Sequence, residues 1–255
     1  MRIAITLAAA ALLAATSAEA ADLTLLVGGS MQVPFRQVGT DFARQTGNKM
    51  KFVVDTTGAL QKHLRSGEKA DIILVSTQGM DQLEKEHLIQ SGSRVDLAIA
   101  DIGVSVRAGA PSPDLSSPEA FKRAMLSAKS ISVVDPKAGG TSGMYLDGLF
   151  RRLGIAEEVS KKSVLRNQGS EVAEAVASGQ AELGMTFISE MQPNKGVKIA
   201  GPLPAAIQSP TVYVVAIPAA SDHKDEARAF IGAISNQSAW PAITAAGLTP
   251  IKKNP

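Results

Sequence analysis

The chain has 255 residues, 45% apolar, 20% charged and 4% aromatic, with 26 Lys and Arg against 24 Asp and Glu, no cysteine, and a mean hydropathy of +0.08. Near-balanced charge with no block of one sign argues against an electrostatic nucleic-acid binder, and the composition excludes collagen-like, coiled-coil and disordered classes. Without cysteine there is no disulfide framework, thiolate zinc site, cysteine nucleophile or lipidated cysteine.

Arg2, the apolar run Ile3 to Ala15 and the small-x-small triplet Ala18-Glu19-Ala20 have the layout of a secretory signal, residues 1–20, cleaved after Ala20. The apolar run is too short to cross about 30 Å of hydrocarbon as a helix. Short β-rich runs then alternate with helical stretches: Leu23-Val27 then Val38-Gln45, Lys51-Val54 then Ala59-Ser66, Asp71-Val75 then Met80-Glu86. The middle repeats the theme with strands Gly103-Val106, Ile131-Val134 and Glu182-Thr186 and helices near Pro118-Leu126, Gly143-Leu153 and Glu171-Ala177. A last strand, Thr211-Ile217, precedes helices Lys224-Ile234 and Gln237-Ala246, where the lone Trp240 is expected to pack onto the first lobe. This alternation predicts an α/β protein with mostly parallel sheets covered by helices. About 235 residues after the signal suit two lobes, 21–103 with 212–255, and 104–211, joined by two linking strands that form a hinge over a cleft.

The informative residues lie where strands pass into helices. Gly28-Gly29-Ser30, with Ser30 as a cap and Pro34 in the opening turn, Thr56-Thr57-Gly58, the loop Lys137 to Gly143, and Gln168-Gly169-Ser170-Glu171 are all small or hydroxylated helix starts. Free N–H groups and the positive end of the helix dipole make such starts anion sites when the fold brings several together. Any one alone is explained by capping.

The segment from Thr57 through Leu60 to Gly67-Glu68-Lys69-Ala70-Asp71-Ile72 resembles the molybdate-binding proteins among the periplasmic type 2 solute-binding proteins of ABC transporters. So, in order, do Asp135-Pro136, Tyr145, Ser178 to Gly184 and Gly247-Leu248-Thr249-Pro250. The resemblance runs from Leu23 to Pro250. It implies a bilobal type 2 periplasmic-binding-protein fold, with two mixed, mostly parallel sheets joined by a two-strand hinge. The implied role is a periplasmic receptor that closes on a small anion, molybdate or tungstate, and delivers it to an ABC permease. It places Ser30 and Thr57 as first-lobe donors to the oxyanion, Ser142, with Thr141 competing, and Gly169 as second-lobe backbone donors, and Phe187 where the family commonly presents a tyrosine hydroxyl. Phenylalanine cannot donate. A bond to a charged acceptor is worth about 1.5–3 kcal/mol, so the loss costs roughly 10- to 100-fold in oxyanion affinity. An organic di- or tricarboxylate is therefore the alternative ligand. Asp55 is read as a strand-end residue turned away from an anion, and Lys137 and Arg166 as surface charges or carboxylate partners.

His63, His87 and His223 are scattered with no i,i+4 pairing, no Gly-x-Ser-x-Gly elbow occurs, the Lys137 loop runs opposite to a Walker loop, and Glu157-Glu158 reads as a solvated helix start. The expectation is a monomeric binding protein with no chemistry of its own, no cofactor, no protein-bound metal beyond a metal oxyanion as ligand, and no nucleic-acid partner. A secreted enzyme of unknown reaction is the alternative from another class.

Overall fold

A computed structural model describes residues 20–252, so the Ile3 to Ala15 run lies outside the described residues. The strands and helices alternate from the start: β1 Asp22–Gly28, α1 Gln32–Thr46, β2 Lys49–Asp55, α2 Thr57–Arg65, β3 Ile72–Ser76, α3 Thr77–Lys85 and β4 Val95–Ala100. The middle holds β5 Ile102–Arg107, α4 Pro118–Ser127, β6 Ile131–Val134, α5 Thr141–Arg152, α6 Ala156–Ser160, β7 Ser163–Arg166, α7 Gly169–Ala177, β8 Leu183–Phe187, α8 Ile188–Met191 and β9 Val197–Pro202. The chain closes with β10 Thr211–Ala216, α9 Lys224–Ser235, α10 Trp240–Ala245 and β11 Thr249–Pro250.

These elements build two mixed sheets, ordered β11-β4-β10-β3-β1-β2 and β7-β6-β8-β5-β9. The pairs β1–β2, β1–β3, β6–β7 and β6–β8 are parallel. Every antiparallel pair involves β10 or β4 in the first sheet and β5 in the second. These are the strands beside the crossings, at Asp101 and between Pro202 and Thr211, where a chain passing from one sheet to the other runs against its neighbours. Gln208, in the returning connection, donates through Nε2 to the Ile102 carbonyl at 2.8 Å and accepts from the Ile102 N–H at 3.3 Å, tying the two crossings together.

Central strands read as continuous apolar runs because helices cover both faces. Residues Leu25–Val27 and Ile72–Val75 are wholly buried, each large side chain stabilising the fold by about 1.5–3 kcal/mol. Side chains cap the helices where the sequence offers them: Thr56 accepts from the Ala59 N–H, Ser76 from Gly79 and Ser117 from Ala120. Trp240 packs against the main core from α10, which lies along α1. Among the described residues no helix is long and apolar enough to cross a membrane.

Candidate functional site

The carboxyl end of β2 and the turns after β1 and β8 face one another across the gap between the sheets. A cavity of about 300 Å³ lies there, between Gly29, Gln32, Val33 and Val54 to Thr56 on one side and Gln168 to Ser170, Ser189, Glu190 and Asn194 on the other. The Ser189 side-chain oxygen is buried and has no hydrogen-bond partner among the described residues. A buried hydroxyl without a partner costs free energy.

Beside it, Glu190 places its carboxylate between the two lobes. A Cβ built on Gly29 would lie 2.5 Å from Glu190 Oε1, and one built on Gly169 would overlap Oε2, so glycine at both positions is what admits the carboxylate. Thr186 Oγ1 donates to Glu190 Oε2 at 2.5 Å, and the Phe187 N–H donates as well. Ser142 Oγ lies 3.0 Å from Thr186 Oγ1. One hydroxyl has one hydrogen, so Thr186, having given its own to Glu190, accepts that of Ser142. Burial outweighs the two donors and pushes the Glu190 carboxyl up to about 7. Across the gap, Ser30 Oγ donates to the Tyr213 hydroxyl at 3.0 Å, and burial, then the Glu190 charge, pushes that phenol up, so it stays protonated.

Ser30, Ser142, Gly169 and Phe187 therefore surround one feature, although not as caps or direct donors throughout. Ser30 sits in a short 3-10 turn, Gly29–Met31, and bonds Tyr213 where the sequence reading has it capping α1. Thr57 is turned away: its hydroxyl accepts from the Ser76 N–H at 3.3 Å inside the first lobe, and its neighbour Thr56 lines the cavity. The Thr141 hydroxyl is buried without a partner among the described residues and does not line the cavity. The Phe187 ring is buried against Tyr213, with ring centroids 5.8 Å apart at 78°. Asp55 lines the cavity, its carboxylate accepting from the Thr56 N–H. Lys137 is exposed and Arg166 bonds Gln180; neither reaches the cavity, whose charged lining residues, Asp55, Glu174 and Glu190, are all acidic. His63 pairs with Glu68 on the surface, and none of the three histidines lines the cavity. Among the described residues no group of three His, Asp or Glu side chains is arranged to hold a metal ion.

Glu190 is the residue that sequence reasoning passed over. Its signal is a strand-to-helix junction like the other four, Thr186-Phe187-Ile188-Ser189-Glu190, but α8 is too short for helical periodicity to announce it.

The lobes touch directly next to the cavity, at Thr56 and Gly58. The Gly58 N–H donates to the Gly139 carbonyl at 3.1 Å, and Thr56 Oγ1 donates to the Ala138 carbonyl at 2.6 Å. Gly139 has φ of 75°, and a Cβ built on Gly58 would lie 2.9 Å from its Cα, so the approach requires glycine on both sides.

Two mixed sheets facing each other across a partly open cavity, linked by crossing strands and touching through their backbones, give the two-lobed fold of a solute-binding protein. The chain belongs to the bacterial extracellular solute-binding protein family, which it matches over residues 23–249. It is 32% identical to an aconitate isomerase of a Pseudomonas species over 96% of each chain. It is 25% identical to the molybdate-binding protein ModA of Azotobacter vinelandii, over 70% of this chain and 69% of that one. A solved structure of the Azotobacter vinelandii periplasmic molybdate-binding protein superposes with a TM-score of 0.75, covering 91% of this chain and all of that one at 21% identity, a likeness of fold.

Proposed function

We propose that the cleft takes a small organic polycarboxylate, with aconitate the first ligand to try, and that the protein is a periplasmic receptor presenting it to an ABC permease after removal of residues 1–20. The observation that carries this reading is the Glu190 carboxylate set into the bed of donors between Gly29 and Gly169. A tetrahedral dianion has oxygen in every direction, so one oxygen must face Glu190 and be repelled whenever that group is ionised. An organic polyacid carries oxygen at its ends and carbon between them. Its carboxylates can take the free N–H groups of the first turn of α7 while carbon faces Glu190 and the apolar sides of Val33 and Val54. The name of the 32% identical relative supports the same ligand class.

A second reading, molybdate or tungstate, is supported by the way the helix starts at Ser30, Ser142 and Gly169 gather round one end of the cleft. One experiment separates the two. Melting temperature is measured against trans-aconitate, cis-aconitate, citrate, succinate, molybdate, tungstate and sulfate. A ligand present at 100 times its dissociation constant stabilises by about 2.7 kcal/mol. The expected result is a rise with the tricarboxylates and none with sulfate; a rise with molybdate and tungstate alone overturns the polycarboxylate reading.

A further inference from the structure

Within the polycarboxylate reading, on which this step rests, we infer that the cleft binds its ligand together with one proton, which Glu190 takes up from solvent as the ligand enters and releases as it leaves. Glu190 is only half-buried and lines the cavity, with its carboxylate between Gly29 of the first lobe and Gly169 of the second. Thr186 Oγ1 and the Phe187 N–H hold it from its own lobe. An ionised carboxylate has about four acceptor sites, so two donors leave it under-satisfied unless a cation stands near.

No cation does. The charged residues that line the cavity with Glu190 are the acids Asp55 and Glu174. Across the gap, Tyr213 of β10 stays protonated. Helix α7, packed against α8, brings Glu171, which accepts from the Asn167 N–H, and the exposed Glu174, and Asp101 lies just before β5, its carbonyl accepting the Ile188 N–H. The turn Gly29–Met31 and β8 carry no charged residue. The cations on the remaining packed strands are remote: Phe187 pairs with Ile102 at the start of β5, whereas Arg107 ends that strand and Lys198 pairs with Val106 beside it.

An anion in this cavity therefore sits by a carboxylate that no positive side chain offsets. Repulsion between like charges strengthens as water leaves the gap, and a proton on Glu190 removes it. That proton is readily taken near neutrality, because the carboxyl already stands at about 7 without ligand. The ligand's carbon then lies against a neutral acid while its own carboxylates stay ionised on the first turn of α7.

The test is calorimetric titration of the purified protein with trans-aconitate at pH 8 in phosphate and in Tris, whose differing heats of ionisation count the protons exchanged. The ligand's carboxyls are ionised at that pH, so uptake belongs to the protein. The expected result is uptake of about 0.9 proton per ligand, with Kd weakening about tenfold from pH 6 to pH 8 and about tenfold more by pH 9. Glu190→Gln, an uncharged group of the same shape, is expected to take up no proton, to bind alike at pH 6 and pH 8, and to bind about tenfold more tightly than the wild type at pH 8. Thr186→Val removes a donor that lowers the Glu190 pKa, so the pH at which Kd begins to weaken is expected to rise, a change that a merely structural role would not produce. Wild-type binding without proton uptake at pH 8, or uptake retained in Glu190→Gln because Asp55 or Asp101 is the acceptor, overturns the inference and leaves the receptor reading standing. Absence of binding by trans-aconitate, cis-aconitate and citrate alike at pH 6 overturns both.

Discussion

Gly58→Ala is expected to hold the ligand-free protein open. The new methyl group would lie 2.9 Å from Gly139 Cα and 3.2 Å from its carbonyl oxygen, and both are backbone atoms that cannot rotate aside. Closure would then forfeit the Gly58-to-Gly139 and Thr56-to-Ala138 hydrogen bonds, at about 0.5–1.5 kcal/mol each, or accept an overpacked contact at about 1–3 kcal/mol. Either way the penalty is about 1–3 kcal/mol, which changes the closed-to-open ratio by a factor of roughly 5 to 160. Within its own lobe the substitution is favourable, since alanine suits α2 better than glycine by about 0.5–1 kcal/mol. The signature is thus a larger radius of gyration in small-angle scattering and weaker ligand binding, with unchanged or raised resistance to urea. A variant with the wild-type radius and affinity would show that this contact does not govern closure.

Glu190→Gln is expected to raise stability in alkaline but not in acid solution. The folded protein holds the Glu190 proton up to about 7, whereas the ordinary value is 4.5. Because the folded-state pKa is raised, the stability this group contributes is complete below about 4.5, is lost as pH rises to about 7, and stays lost above. The full interval corresponds to roughly 3 kcal/mol. Glutamine keeps the shape and has no charge to bury, so the difference in unfolding free energy between variant and wild type is expected to grow by up to about 3 kcal/mol between pH 4.5 and pH 8. Urea titrations at those two values measure it, and the other titrating groups cancel in the difference. A gap independent of pH would mean that the carboxyl is solvated in the folded protein.

Much of this architecture is legible in the residues. Ile131–Val134 reads as a strand because three of its four residues are β-branched, and Pro118 marks the first turn of α4 at the place where proline's missing N–H does least harm. The elements that sequence leaves out are those without such signals. β4 is diluted by Asp96 and two alanines, and β9 is an edge strand carrying Gly201 and Pro202, residues usually counted against a strand. In the candidate site, glycine and hydroxyl residues point to junctions that the structure brings to the gap between the sheets, since those residue types are chosen for helix starts. What they do not tell is direction. Thr56 and Thr57 are adjacent and alike, yet one faces the other lobe and the other faces Ser76. Glu190 stays hidden for a related reason: acidic side chains after strands are common, and only the closing of two lobes over one of them takes it out of water.

The pair of bonds from the Gln208 side chain to the Ile102 peptide gives the two connections the same partner that a neighbouring strand would give. Connections bound in this way are expected to bend together when the two lobes move. On the receptor reading proposed above, an occupant of the gap would reach a docking partner as a change in the angle between the two lobes.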